Sequence, residues 1–199
     1  MRGRIITSDH RIFELPVLLR WNITYTGGVP CDSYEVTCVY DRTMAELLHL
    51  AAGFLALDEN GGVLLRGIVD EYEVKLTAAG LTVTICGRGY AARLLDNEAL
   101  SQDYELAAPA DILRDHVEPY GIQTEGGAAL GPVSRFSVAA GSSEWAVLYE
   151  FARYHNGICP RFDREGRLIL SPWPDTREIA LDDAVPVERL SCRVRRYGV

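Results

Sequence analysis

Alternating apolar and polar residues in the first half of the chain predict a β-rich structure. Between residues 68 and 76, one face would carry the alternate residues from Ile68 onward, which are apolar or aromatic apart from Asp70. Residues 81–85 repeat the alternation, and a period of two is typical of a strand with one buried face. Gly80 lies between the two runs, where a tight turn favours positive φ. The pattern therefore predicts a β-hairpin that places Asp70 on its apolar face.

Shorter runs around this hairpin extend the β pattern and are interrupted by one helix. The helix is predicted over residues 44–52, because Asp41 or Thr43 can cap its start and leucines and alanines give it an apolar stripe. Strands at such short spacing predict a closed or nearly closed antiparallel β-barrel with short helices over residues 1–98. The remaining strands of this barrel are predicted over residues 13–26, 34–40, 54–57 and 63–66.

Helical spacing becomes common after residue 98 and predicts a second, small α+β domain over residues 99–187. Pro109 suits the first turn of a helix, because its fixed φ is helical and its missing N–H is not needed there. Ser142 or Ser143 can cap a second helix that runs to about Asn156. A mobile loop is predicted over residues 123–132, and strands are predicted over residues 133–138, 158–162 and 167–170.

The end of the chain, residues 188–199, is predicted to form one final strand. That strand either returns to the first barrel or opens a second one. Pro172, Pro174 and Pro186 mark an irregular link before it. The fold class that follows is α+β and mainly β, with an antiparallel barrel ahead of a small α+β domain.

Charge and cysteine content narrow the function classes. The 199 residues carry a formal net charge of −8, which disfavours non-specific binding to duplex nucleic acid, because such binding depends on phosphate neutralisation. The chain has no apolar run long enough for a membrane-spanning helix, and its N-terminus does not have the pattern of a signal peptide. The five cysteines form no CxxC pair, so they are predicted to be buried, reduced thiols of a cytosolic product.

A glycine-flanked arginine at residues 87–89 is the first candidate site. Backbone N–H groups ahead of a helix attract anions, so this stretch could form a phosphate-binding loop. The dinucleotide fingerprint, however, needs a third glycine and a parallel βαβ unit, and here the preceding strand belongs to an antiparallel hairpin. A structural turn is the favoured interpretation.

Three carboxylates on the hairpin, Asp70, Glu71 and Glu73, could support acid–base catalysis. Acidic residues that alternate along a strand usually face solvent or pair with basic residues, so catalysis is the less favoured interpretation. A nucleophilic pair of Cys159 and His155 is also weighed and disfavoured, because a helix end is expected between them. We predict no catalytic, cofactor-binding or metal-ligating residue. The histidines considered are His10, His49, His116 and His155, and the serines without an evident base are Ser134, Ser137 and Ser142.

Aromatic residues of the first half leave two interpretations open. They could line a groove for a sugar or a peptide, or they could fill a barrel interior or a subunit contact. The residues concerned are Trp21, Tyr25, Tyr34, Tyr40 and Tyr72.

Several stretches, taken in order, resemble a known family. The most specific are GIVDEY at residues 67–72 and GRGYAARLLDNE at residues 87–98. The chain is similar in these motifs to phage tail hub proteins of the late control protein D family, which are related to the first part of type VI secretion spike proteins. The resemblance is closest to the branch found in prophages and phage-tail-like particles. Weaker motifs in the same order are WNITY (21–25), VPCDSYEVT (29–37), PYGI (119–122), SEW (143–145) and DREGRL (163–168).

This resemblance implies a structural part of the tail baseplate and not an enzyme. Hub proteins of this family form a homotrimer with pseudo-sixfold barrels, which joins the tail tube to the central spike. The implied partners are therefore the tail-tube protein, the spike protein and further copies of the chain, without sequence-specific nucleic acid binding or membrane insertion. The implied location is the virion tail or baseplate, after synthesis in the host cytoplasm. An acidic surface also suits a lumen through which DNA slides.

One departure from the family, and two other functions, remain open at this stage. Family members continue into a second barrel-forming segment, whereas this chain ends at Val199, so it is expected to be truncated or short and to be monomeric when isolated. One alternative is a peptidoglycan hydrolase domain of a tail tip, which requires a pocket with a perturbed carboxylate or a Cys–His pair. The other is a ligand-binding β-barrel with an open cavity behind Trp21 and Tyr25.

Overall fold

A computed structural model describes residues 1–27, 31–78 and 80–173 and is mainly β, as predicted. The strands are β1 Arg2–Thr7, β2 Ile12–Glu14, β3 Leu18–Thr24, β4 Ser33–Val39, β5 Ala51–Leu57, β6 Val63–Thr77, β7 Gly80–Gly89, β8 Gln102–Ala107, β9 Thr124–Gly126, β10 Val133–Val138, β11 Arg161–Phe162 and β12 Leu168–Leu170. The helices are α1 Met44–His49, α2 Ala92–Leu95, α3 Pro109–His116 and α4 Glu144–Tyr149, and α4 continues as a π-helix over Glu150–His155. The strand predicted over residues 188–199 lies outside the described residues.

The first seven strands form one antiparallel sheet in the order β2-β1-β5-β6-β7-β4-β3. Its concave face packs a cluster of buried residues that includes Ile5, Phe54 and Ile85, with α1 contributing Met44 and Leu48. The predicted hairpin is confirmed as β6–β7, since Thr77 pairs with Gly80 across its turn. Helix α1 is shorter than predicted, because β5 begins at residue 51, where Ala51 pairs with Thr7 in the sheet instead of extending the helix.

The sheet is strongly curled, although the described strands do not form a closed barrel. Its two end strands, β2 and β3, are joined by only residues 15–17. The four residue steps from Glu14 to Leu18 span at most about 14 Å. The same two strands would lie about 29 Å apart in a flat sheet of seven strands. The sheet must therefore curl until its edges approach each other, but no β2–β3 pairing is found in the part of the chain that the structure describes.

A β-bulge at Asp70 corrects the predicted arrangement of the hairpin. Val69 pairs with Gly87 and Glu71 with Cys86, so Asp70 is the extra residue between two regular ladders. The bulge shifts the alternation by one position. Val69, and not Ile68, therefore shares the concave face with Tyr72. Asp70 lies off the apolar face, where the sequence pattern had placed it, and its side chain reaches Arg88 instead.

The stretch at residues 87–89 belongs to β7 and is not the turn that the sequence pattern favoured. Gly87 pairs with Tyr34 on one side and Val69 on the other, and Gly89 pairs with Gly67. The Tyr34 ring lies over Gly87 and stacks on Phe54, with ring centroids 4.1 Å apart, while its hydroxyl donates to Ile68 O at 2.9 Å. Gly87 is therefore required by a close approach within the sheet, and the chain leaves the strand only after residue 89.

The second half builds a separate hydrophobic cluster around α4. Phe136, Leu148 and Phe151 lie at its centre, and two small sheets, β10-β8 and β11-β12-β9, cover it. Helix α3 starts at Pro109 as predicted, and Ser143 caps α4 by accepting the Ala146 N–H at 3.2 Å.

The prediction of a mobile loop over residues 123–132 is wrong at its start. Residues 124–126 form β9, which pairs in parallel with β12.

Candidate functional site

A groove of about 920 Å³ lies between the end of β3 and the region of α4 and β11. One wall is the loop after β3, and the opposite wall is formed by α4, its π-helical continuation and the β11–β12 hairpin. Aromatic rings dominate the lining, and several of them are exposed. The lining residues are Tyr25, Thr26, Gly27, Asp32, Trp145, Ala146, Tyr149, Glu150, Tyr154, Cys159, Pro160, Arg161, Phe162, Asp163, Arg164 and Trp173.

The π-helix brings two tyrosines together on the wall of this groove. Tyr149 and Tyr154 are five residues apart, which would place them on different faces of an α-helix. The wider turn from Glu150 to His155 aligns them instead, and their rings meet edge to face with centroids 5.6 Å apart. The predicted helix over this segment is confirmed in extent, but its pairing of Tyr149 with Tyr154 was not foreseen.

Two arginines of the β11–β12 hairpin lie on aromatic rings of the groove. The Arg161 guanidinium is 4.4 Å from the Trp173 ring centroid, and that of Arg164 is 5.2 Å from the Tyr25 centroid. Neither arginine has a carboxylate within ion-pair distance among the described residues. The Tyr25 side chain is held in place by its hydroxyl, which donates to Leu64 O at 2.7 Å.

The aromatic residues that the sequence analysis proposed for a groove or a barrel interior lie in different parts of the structure. Tyr25 lines the groove, whereas Tyr34 is buried under the sheet. Trp21 lies on the concave face of β3, opposite Val36, and half of its surface is exposed (52%). The ligand-barrel alternative required a cavity behind both Trp21 and Tyr25; of these two residues, Tyr25 lines the groove and Trp21 does not.

The two outer strands of the large sheet, each without a partner on one side among the described residues, carry exposed apolar side chains. Edge strand β2 exposes Ile12 and Phe13, and edge strand β3 exposes Leu19 and Trp21. Val17, in the link between them, is 84% exposed. Unpaired strands with apolar side chains are surfaces on which another strand can pair.

Two of the three carboxylates proposed for acid–base chemistry lie in a shallow polar hollow on the convex face, whereas Asp70 lies outside it. Glu71 and Glu73 line it together with Glu35 and Cys86, and Lys75 Nζ pairs with Glu73 Oε2 at 2.7 Å. Burial, reinforced by the neighbouring carboxylates of Glu35 and Glu71, raises the pKa of the Cys86 thiol. The thiol is therefore held in its protonated, weakly nucleophilic form.

Arg88 is neutralised by two carboxylates. It forms a two-point contact with Asp70, with Nε–Oδ2 at 2.7 Å and Nη2–Oδ1 at 2.9 Å, and it also contacts Asp96 through Nη2–Oδ2 at 2.7 Å. Hydrogen bonding from Arg88 lowers the pKa of Asp96. With its charge compensated and its flanking glycines paired in the sheet, Arg88 does not form a phosphate-binding loop.

A buried histidine–glutamate pair joins α3 to α4. His116 Nδ1 lies 2.6 Å from Glu144 Oε2, and the Tyr120 hydroxyl donates to Glu144 Oε1 at 2.8 Å. On the other side of the ring, His116 Nε2 is 3.1 Å from the Tyr104 hydroxyl and 3.2 Å from the amide nitrogen of Gln102. Burial, followed by the bond to Glu144, raises the pKa of Tyr120 to about 12. The pair lines neither the groove nor the hollow, so its role is to connect the two helices.

The other histidines and cysteines form no catalytic arrangement in the described parts of the chain. The ring of His155 meets Phe136, with centroids 5.6 Å apart, and no described hydrogen bond links His155 to Cys159. The four described cysteines are free thiols, of which Cys38 is buried and the others are partly buried. Burial raises the pKa of both Cys31 and Cys38 to about 11. Within residues 1–27, 31–78 and 80–173, no group of His, Cys, Asp and Glu is placed to hold a metal ion.

Comparison with known proteins gives matches in structure and not in sequence. No family model matches the chain, and no curated protein matches it. Among the described residues, no helix combines the length and apolar character that crossing a membrane requires.

Two solved structures of similar fold are tail proteins. The tail protein of Neisseria meningitidis MC58 matches with a TM-score of 0.62 and 17% identity, over 94% of this chain and 57% of that protein. The 43 kDa tail protein of prophage MuSo2 from Shewanella oneidensis matches with a TM-score of 0.60 and 17% identity, over 86% of this chain and 54% of that protein. The chain therefore has the fold of these tail proteins and spans little more than half of their length.

Proposed function

We propose that this protein is a structural component of a phage or prophage tail, located in the baseplate hub, where it joins the tail tube to the central spike. The observation that carries the proposal is the fold, which matches that of a tail protein over 94% of this chain. Membership in the late control protein D family is part of the proposal and rests on the motifs at residues 67–72 and 87–98.

The free edges of the curled sheet support a role in assembly. A subunit that functions in a ring needs strand edges that pair with its neighbours. Strands β2 and β3 provide two such edges with exposed apolar residues at residues 12–13 and 19–21. We propose that copies of the chain associate, as a trimer in the assembled hub, and that barrel closure is completed by strands supplied on association.

Co-expression with the tail-tube and spike proteins of the same particle tests this role. We expect the chain to co-purify with them, and we expect Leu19→Glu to reduce the recovered complex about tenfold or more, because a charge replaces an apolar side chain at a buried contact. The melting temperature of the isolated Leu19→Glu variant should be unchanged, since Leu19 is 60% exposed.

The matched control is Leu100→Glu, which alters another exposed leucine (83%) away from both edges. This variant should assemble like the original protein. Equal losses for Leu19→Glu and Leu100→Glu would argue against the edge as a contact. Absence of the original chain from purified particles would refute the tail role itself.

We propose further that the role is not enzymatic. Two of the three carboxylates considered for catalysis form ion pairs, Asp70 with Arg88 and Glu73 with Lys75. We expect the purified protein to release no soluble fragments from isolated peptidoglycan beyond a buffer control. Release that is lost in the combined Asp70→Ala, Glu71→Ala and Cys159→Ala variant would instead support the hydrolase alternative.

A further inference from the structure

β11 is an outer strand of its sheet among the described residues, and both of its residues, Arg161 and Phe162, line the aromatic groove. Leu168 of the neighbouring β12 donates its N–H to Gln123 O, on the side of β9 and away from β11. The opposed residues Phe162 and Leu168 therefore form the non-hydrogen-bonded type of antiparallel pair. The N–H and C=O of Phe162 consequently point away from β12, toward the edge that no described strand covers.

The hairpin that carries this edge also carries the two arginines without carboxylate partners. Arg161 and Arg164 flank Phe162 and lie on Trp173 and Tyr25 respectively. Arg161 donates from Nη1 to Ser171 O at 2.6 Å and from Nη2 to Pro172 O at 3.5 Å, so it contributes mainly its positive charge. Arg164 makes no such side-chain hydrogen bond among the described residues, and a guanidinium lying on an aromatic ring keeps N–H donors at its rim for carboxylate oxygens. In a chain of net charge −8, these two cations form a local basic site at the edge of β11.

The acidic residues of the groove do not cancel this site. Asp163 Oδ1 accepts two backbone N–H groups of its own turn, and Asp163 Oδ2 accepts from Arg167. Asp32 accepts the Thr26 N–H at 2.8 Å. Glu150 begins the π-helical segment of the lining and forms no ion pair with either arginine among the described residues. The positive charges of Arg161 and Arg164 next to β11 can therefore attract a negatively charged segment.

We propose that this groove binds an extended acidic peptide segment of a partner protein. The segment adds a strand at Phe162, places a carboxylate on Arg164 within the field of the Arg161 charge, and lies against the rings of Tyr149 and Tyr154. This inference rests on the groove and stands independently of the proposed hub role.

A peptide explains the groove better than a sugar does. An exposed backbone N–H and C=O pair on an edge strand is matched by the repeating donors and acceptors of an extended peptide. Sugars bind largely by stacking on bare aromatic faces, and two of the rings here, Trp173 and Tyr25, already have guanidiniums on one face.

Titration of the full chain with defined peptides tests the proposal. The probes are the acetylated and amidated peptide Gly-Glu-Val-Glu-Val-Glu-Gly, the same peptide with lysine in place of glutamate, and the glutamate peptide N-methylated at alternate residues in both registers. The chitin oligosaccharide tetra-N-acetylchitotetraose serves as the sugar probe. Binding is followed by calorimetry and by tryptophan fluorescence, since Trp145 and Trp173 line the groove.

We expect the glutamate peptide to bind, and the lysine and N-methylated peptides to bind at least about tenfold more weakly, because each loses charged or backbone hydrogen bonds. Arg164→Ala should weaken the binding of the glutamate peptide by a similar factor. The matched control, Arg42→Ala, removes an exposed arginine outside the groove and should leave the affinity unchanged. Far-ultraviolet circular dichroism verifies that both variants fold, and the N-methylated probes test the strand pairing without any change to the protein.

Three outcomes would overturn the proposal. Equal binding of the N-methylated peptides would exclude strand addition. Binding of the oligosaccharide without binding of the glutamate peptide would assign the groove to a sugar. The protein could instead form a dimer at high concentration. If dimer formation abolishes peptide binding, and if Arg164→Ala prevents the dimer, the groove would be assigned to a second copy of the chain.

Discussion

Gly87→Ala is expected to lower the free energy of unfolding by about 3 kcal/mol or more, because a methyl group at this position has no space. A Cβ built on Gly87 would lie 2.0 Å from Ile68 O and 2.6 Å from the Tyr34 hydroxyl oxygen. The first of these atoms belongs to the backbone of the adjacent strand and cannot rotate away. The substitution must therefore separate β6 from β7 or displace Tyr34 from its stack on Phe54.

The control for this prediction lies two residues further along the same motif. A Cβ on Gly89 would find its nearest neighbour, Asp32 Cβ, at 3.7 Å, which is ordinary van der Waals contact. Gly89→Ala should therefore change the unfolding free energy by no more than about 1 kcal/mol. Urea unfolding followed by circular dichroism measures both values, and similar losses for the two variants would contradict the close approach at Gly87.

Glu144→Ala is expected to cost about 3–5 kcal/mol of unfolding free energy, the range measured when one partner of a buried ion pair is removed. The truncation removes the acceptor of two groups at once, the His116 ring N–H and the Tyr120 hydroxyl. His116 is 2% exposed, so water cannot replace the lost partner without opening the contact between α3 and α4.

Two further variants separate the causes of this loss of stability. Glu144→Gln keeps an oxygen acceptor but removes the negative charge, so its loss should lie between those of Glu144→Ala and the original protein. Glu150→Ala removes an exposed carboxylate from the same helical segment and should lie within about 0.5 kcal/mol of the original. Thermal and urea unfolding give the values. Equal stability of Glu144→Ala and Glu150→Ala would show that the pair is not a structural connection.

Local signals in the sequence were sufficient where one short segment determines the structure. The period of two and Gly80 predicted the β6–β7 hairpin, and Pro109 and Ser143 marked the starts of α3 and α4. Each of these features depends on residues within a few positions of one another. The same locality explains why the interpretation of residues 87–89 as a turn was wrong, because Gly87 is required by the distant Tyr34 and Ile68.

The bulge at Asp70 could not be predicted from the sequence, for a related reason. The sequence alternates on both sides of Asp70, so one inserted residue changes the phase without breaking the pattern. Only the partner strand shows the shift, through the contact with Arg88.

The groove also could not be predicted from the sequence. Tyr25 was a candidate, but its counterparts Tyr149 and Tyr154 meet through a π-helix, and a spacing of five residues is not a recognised helical contact. The buried pair of His116 and Glu144 joins positions 28 residues apart. His116 was among the histidines considered, but nothing in the sequence identified Glu144 as its partner.

The short link between β2 and β3 limits how many strands a neighbour can contribute. Residues 15–17 hold the adjoining ends of these edges within about 14 Å, which is three strand spacings of about 4.8 Å. At that end of the sheet, the gap has room for two additional strands at most. A third strand could not enter at that end, because the covalent link cannot stretch further. The length of one loop thus sets an upper limit on the strands that a neighbouring subunit can insert there.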